Sequence, residues 1–337
     1  MKKHKICKIL LVILSIFLCV AFYELLGICV AYKKQPEVSN TTKKETKNGS
    51  WNECSENTER AVIIEKNPEA LLQRVRLIKN AKKEIILSTF AFQSDESGKL
   101  ILGALHDAAD RGVHIRLLVD GMESWIDMEG NPYFYGLSSH ENVEIKLYNK
   151  ANPLKPWKIM GRMHDKYLIA DGKRYILGGR NTYNYFLGDF PGHKNYDRDV
   201  LVVCDEPEKE NSVNQLLEYF ETIWEQEDSG YFHDNKKLAN RKSVKNAVLE
   251  LQNSYQKYFE ENKERICDTD YTDETFETEK IALVSNPIHT GSKEPVVWYQ
   301  LGELMKNAKN RVKIHTPYII CNDMMYNTWE AVSYTHL

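Results

Sequence analysis

The sequence has no C-x-x-C pair, and its seven cysteines are spread from Cys7 to Cys321. Structural zinc modules draw thiolates from short, paired spacings, so this pattern excludes them. Cys7, Cys19 and Cys29 lie in an apolar N-terminal stretch. Cys54, Cys204, Cys267 and Cys321 are scattered; one or two disulfides could form among them, and spacing does not define the pairing. A surplus of one charge is also missing: 45 Lys and Arg stand against 48 Asp and Glu, a formal net charge of −3. That weighs against a basic nucleic-acid binder for the molecule as a whole, although charge can be local. What is there, 42% hydrophobic and 11% aromatic residues, has the composition of a globular protein. The 337 residues suit two ordinary domains or one large duplicated one.

Long apolar runs are confined to the N-terminus. Lys2, Lys3, Lys5 and Lys8 precede a run from Ile9 to Phe22, which resumes from Leu25 to Tyr32 and stops at Lys33 and Lys34. Its helix of roughly 24 residues would reach about 36 Å, enough to cross a bilayer with some tilt. The basic end favours a cytoplasmic N-terminus, with the rest of a single-pass protein outside the cell membrane. A cleaved signal is the alternative, but no small-x-small site follows Phe22. Glu24 is the awkward residue, because a carboxylate in a spanning helix costs about 2.5–3.5 kcal/mol.

Residues 1–34 therefore read as cytoplasmic tip and anchor, and 35–59 as a polar tether. Periodicity begins after that. Helical spacing over Ala70–Lys82 precedes a strand at 84–92, and a helix over Lys99–Arg111 stops at Gly112. Strands follow at Val113–Asp120 and Val143–Tyr148, then a strand pair and a helix over Asn211–Glu227. The alternation predicts an α/β domain with a largely parallel or mixed sheet flanked by helices over 60–232. Residues 233–278 read as a charged helical connection. The start then recurs: Leu77–Thr89 lines up with Leu304–Thr316, sharing Lys-Asn-Ala-Lys, each helix then strand. Residues 279–337 thus read as the opening of a second half, cut short.

The chemistry concentrates in Met163–Asn181. Tyr167–Ala170 and Arg174–Leu177 read as strands about an Asp171-Gly172 turn. A two-residue turn would set His164 opposite Gly179 and Lys166 opposite Leu177, with His164 and Lys166 on one face. Asn181 follows as a neutral donor. An imidazole beside an ammonium suits a phosphodiester: the histidine attacks phosphorus while Lys166 and Asn181 stabilise the equatorial oxygens. Side chains supplying that charge would need no metal and no cofactor.

His164, Lys166, Asp171, Gly178, Gly179 and Asn181 make the frame His-x-Lys-x4-Asp-x6-Gly-Gly-x-Asn. It resembles the signature of the phospholipase D superfamily, and its Gly-Gly-Arg-Asn form is most similar to bacterial cardiolipin synthases. Gly179 stands where many members have Ser. Tyr196–Val202 resembles the acidic strand that follows the motif in these enzymes, and Phe220 to Trp224, with Ser229, the helix end after it. The resemblance implies a duplicated phospholipase D-like fold with one motif per half, a phosphohistidine on His164, and Asp197 orienting its imidazole. Asp171, Gly178 and Gly179 would be structural. No second motif is found: His289 and His315 lack a lysine two residues on, and His336 is followed only by Leu337. The chain alone is accordingly expected to have little activity.

Three function classes follow. The first is cardiolipin synthase-like phosphatidyl transfer between phospholipids such as phosphatidylglycerol. The second is hydrolysis of phospholipid or nucleic acid through the same intermediate, and the third a non-catalytic membrane protein. The anchor and near-neutral charge favour lipid over nucleic acid. The segment Lys150–Gly161, with Lys155, Trp157 and Lys158, reads either as a lipid-contacting loop or as an ordinary loop with one packed tryptophan.

Overall fold

A computed structural model describes residues 2–49, 59–204, 211–233, 235–314, 316 and 320–335. Cys54, His315 and His336 lie outside them. Cys7, Cys19, Cys29, Cys267 and Cys321 are free thiols.

Helix α1 (Lys2–Tyr32) carries the whole apolar N-terminus. The segment read as a tether contains a second helix, α2 (Asn40–Asn48), which Ser39 caps by accepting from the Thr42 N–H and which ends at Gly49 in the left-handed conformation. The domain follows with β1 (Glu59–Ile64), α3 (Asn67–Asn80), β2 (Glu84–Thr89), α4 (Glu96–Asp110) and β3 (His114–Asp120). Next come α5 (Gly121–Asp127), α6 (Pro132–Ser138), β4 (Val143–Tyr148), β5 (Tyr167–Ala170), β6 (Arg174–Gly178) and β7 (Asp199–Cys204). The remainder is α7 (Ser212–Trp224), β8 (Ser229–Tyr231), α8 (Lys242–Glu261), α9 (Lys263–Cys267), β9 (Phe276–Glu277), α10 (Val296–Lys306) and α11 (Asp323–Thr335).

The strands form one sheet in the order β8-β4-β3-β2-β5-β6-β7-β1-β9. β2, β3 and β4 are parallel, joined by crossovers, while β5 runs antiparallel to β2. The fold is a mixed α/β sheet with helices on both faces. Ile85, Leu87, Ile115 and Leu117 face a core shared with α3, α4 and α6. Ile86, Leu118, Tyr167 and Ile169 face the other, where α7 lays down Val213, Leu216, Phe220 and Trp224. That stripe has the spacing of a helix buried on one side.

Two expectations change. The segment read as a charged connection holds α8, whose Val244, Leu251, Tyr255 and Phe259 join the first core, so this part of it packs on the sheet's face and is not a solvated linker. Its charge is on the other side of the helix, which is why composition alone suggested a linker. The recurring helix forms as α10, but the strand expected after it does not: 309–314 are irregular. No described strand lies beside this segment, and a strand without a partner leaves its backbone groups unpaired.

Candidate active site

The β5–β6 hairpin turns on Asp171 (φ 55°) and Gly172 (φ 61°), as the dipeptide predicts. The register differs from expectation. Lys173 donates its N–H to the Ala170 carbonyl and accepts from Cys204 of β7, so it stays out of the β5–β6 ladder. Pairing shifts by one: Tyr167 faces Leu177, and the Gly178 N–H bonds the Lys166 carbonyl at 3.1 Å. Lys166 therefore lies across from Gly178, not Leu177, and His164 precedes the ladder instead of facing Gly179. The Asp171 carboxylate accepts from the backbone N–H groups of Lys82 (2.9 Å), Lys83 (2.7 Å) and Glu84 (3.0 Å). It ties the hairpin to the start of β2.

His164 is exposed and rests edge-on against Phe90, ring centroids 4.7 Å apart. Lys166 is buried; its Nζ donates to the His164 carbonyl at 2.6 Å and lies 5.3 Å from the centre of the Phe90 ring. Partial desolvation by the surrounding protein, reinforced by the neighbouring ammonium, lowers the His164 pKa. Burial likewise pushes Lys166 down to about 8, against the opposing pull of Asp165, Asp197 and Asp120. Asn181 is buried and accepts from the N–H of Ala91, the residue after Phe90, at 3.2 Å, with Tyr183 also within its reach.

The two glycines have a steric reason. A Cβ on Gly178 would lie 2.0 Å from Asp199 Oδ1, and one on Gly179 would lie 2.0 Å from Asp197 Oδ2. The acidic strand thus packs directly on the Gly-Gly step. Asp197 sits over Gly179 and accepts from the Arg198 N–H at 2.7 Å; no hydrogen bond joins it to His164 among the described residues. Below it, buried Asp199 pairs with Arg74 (2.9 Å) and Arg180 (3.2 Å), and Arg180 also donates to the Asp197 carbonyl.

Sequence reading missed several neighbours. Asp165 accepts from the Tyr219 hydroxyl at 2.7 Å, and burial raises its carboxyl pKa. Lys293 lies near it, its own pKa lowered by burial. Buried Asp120 pairs with Arg162 at 3.1 Å and accepts from the Met163 N–H, fixing the segment that enters the motif. Asp165 and Arg162 adjoin the motif, but Lys293 is far along the chain and gives no local signal. Beside the motif a cavity of about 380 Å³ is lined by His164, Lys166, Tyr219, Leu283, Ile288 and Lys293, among others. Its lining combines the Lys166 and Lys293 cations and the Asp165 carboxylate with apolar side chains such as Leu283 and Ile288, and its volume is within the range of small-molecule pockets.

The family model described as "Cardiolipin synthase, PLD-like domain" matches residues 74–224. Residues 74–224 form a phospholipase D-like domain. The chain is 30% identical over 212 residues to an uncharacterized protein of Helicobacter pylori, covering 58% of this chain and 39% of that protein. It is 29% identical over 171 residues to cardiolipin synthase C of Escherichia coli, covering 47% of this chain and 34% of that enzyme. It thus spans well under half the length of the curated relatives it matches. Among solved structures, phosphatidylserine synthase of Haemophilus influenzae aligns at a TM-score of 0.45 and 16% identity, over 66% of this chain and 48% of that one. The matched residues run from within α3 to the end of α7 and include the β5–β6 hairpin and β7.

Proposed function

We propose that this chain contributes one catalytic half of a membrane-anchored, cardiolipin synthase-like phosphatidyltransferase. The observation carrying the proposal is the pairing of an exposed His164 with a buried Lys166 at the mouth of a cavity, in a domain matched by the cardiolipin synthase model. An imidazole nitrogen of His164 attacks the phosphorus of a phospholipid such as phosphatidylglycerol. The phosphorus–oxygen bond to the leaving alcohol breaks, and a phosphatidyl-histidine forms. A second phospholipid's hydroxyl then attacks phosphorus, loses its proton and frees the imidazole. Lys166 and the amide of Asn181 stabilise negative charge on the phosphoryl oxygens. Asp197 orients the imidazole once a phosphodiester is bound, and Asp171, Gly178 and Gly179 hold the loop.

One motif supplies one histidine. The leaving alkoxide needs a proton, which calls for a second histidine from another part of the polypeptide or from a second copy. Near-neutral charge and the apolar α1 support phospholipid in a cell membrane over nucleic acid as partner, with α1 as a single-pass anchor and the domain outside the cytoplasm. The test uses labelled phosphatidylglycerol in liposomes and the full-length protein. A product with cardiolipin mobility, lost in His164→Ala, is expected; phosphatidic acid alone would move the assignment to a hydrolase, and unchanged lipid would refute it.

A further inference from the structure

Helix α1 is not exposed along its whole length. Described side chains from Ile6 to Phe22 are exposed, whereas Glu24, Gly27, Ile28 and Ala31 form a partly covered stripe at helical spacing. That stripe meets the loop after β4. A Cβ on Gly27 would lie 2.5 Å from Pro156 Cγ, and the Tyr23 hydroxyl donates to the Leu154 carbonyl at 3.0 Å. Further up, Tyr32 donates to the Thr290 carbonyl at 2.6 Å, close to the segment that contributes Lys293 to the cavity.

Topology puts this contact on the motif's own edge of the sheet. β2, β3 and β4 are parallel, so the chain leaves them on one edge, as Phe90, α5 and the 150–161 loop respectively. β5 runs the other way beside β2, so His164 and Lys166, which precede it, lie on that edge too. The same edge bares apolar side chains to solvent: Leu154 (76% exposed), Met160 (60%) and Trp157 (43%), with Trp125 and Ile126 of α5 (69% each). Contiguous apolar exposure of this kind marks an interaction surface.

We infer that this edge lies on the phospholipid bilayer, with the hydrocarbon core ending near Tyr23 and the side chains of Leu154, Trp157, Met160, Trp125 and Ile126 entering the interface. The inference rests on the proposal that α1 spans the membrane. Ile6–Phe22 at about 1.5 Å per residue reaches roughly 25 Å, which a slightly thinned bilayer accommodates with Lys8 and Lys5 snorkelling. Tyr23 then stands at headgroup depth, and Glu24 leaves the hydrocarbon, which removes the difficulty of a carboxylate inside it. Exposed Lys155 faces the anionic phosphates. A lipid phosphodiester would meet His164 without leaving its leaflet.

Helix α1 contains no tryptophan, so tryptophan emission reports on the domain and not on the anchor. The full chain is reconstituted in phosphatidylglycerol vesicles with brominated acyl chains. The inference predicts that bromine quenches part of the emission and that the quenched part shrinks in both Trp157→Phe and Trp125→Phe. Quenching that neither variant changes, with both residues quenched instead by aqueous acrylamide, would overturn it and point to a protein partner or open solvent. A second readout compares Leu154→Asp/Met160→Asp with the parent. Turnover of vesicle lipid should fall about tenfold or more, the factor that about 1.4 kcal/mol of lost interfacial contact gives, while a water-soluble phosphodiester is cleaved as before. Equal loss on both substrates would contradict the inference; no turnover of either by the full-length parent with its second histidine would refute the catalytic proposal while leaving the quenching result to decide the docking.

Discussion

At His164 and Lys166, desolvation, partial at the first and deep at the second, lowers both pKa values, and the two shifts have opposite consequences for the reaction. A lowered imidazole pKa keeps the nucleophile neutral to more acidic pH than the usual value of about 6.5. A lysine at about 8 loses its ammonium, and with it the phosphoryl partner, as pH rises through that value. Cleavage of a soluble phosphodiester should therefore give a kcat/KM profile with an acid limb below the ordinary histidine range and an alkaline limb near 8. In Lys166→Arg, whose cation persists, the alkaline limb should move up; a wild-type profile flat to strongly alkaline pH would remove Lys166 from the role. The residue types and spacing of this pair were legible in the sequence. Their unequal exposure was not, because it depends on Phe90, which a different strand delivers to the same edge.

The hairpin and the acidic strand form the frame for that pair. Asp171→Ala removes the acceptor for the N–H groups of Lys82, Lys83 and Glu84 and should destabilise the fold by about 1–3 kcal/mol in denaturant unfolding. Asp199→Asn leaves Arg74 and Arg180 buried with their shared carboxylate neutralised, and a loss of about 3–5 kcal/mol is expected. An unchanged midpoint in either variant would show that the frame does not depend on it. Sequence located this hairpin by its Asp-Gly turn but misplaced its register by one residue. The bond between Lys173 and Cys204 decides that register, and β7 lies too far along the chain for local pattern to show it. Asp197 was legible as an acid near the motif. Its seat over Gly179, without a bond to His164, is a matter of tertiary packing.

On the scale of the whole molecule, alternating strands and helices announced the mixed sheet, since hydrophobic period tracks burial on each face. Charge misled at α8, where a thin apolar stripe is enough to complete the core. Leu251→Ala should cost about 2–5 kcal/mol, as for other fully buried leucines; a cost below about 0.5 kcal/mol would restore the reading of α8 as a solvated connection. Helix α10 matched the recurrence with α3, but 309–314 form no strand and no described strand lies beside them. A repeat in sequence becomes a repeat in structure only where the pairing partners exist.

The central claim is that His164 is the nucleophile, and it can be tested on this half-site by itself. An activated phosphodiester such as bis(p-nitrophenyl) phosphate leaves without needing a second histidine to protonate its alkoxide. Mixed with the protein, quenched in alkali and digested, it should leave a phosphoryl adduct mapped by mass spectrometry to His164, with release of p-nitrophenolate, and His164→Ala should show neither. An adduct on another residue, or phenolate released equally by the variant, would contradict the account.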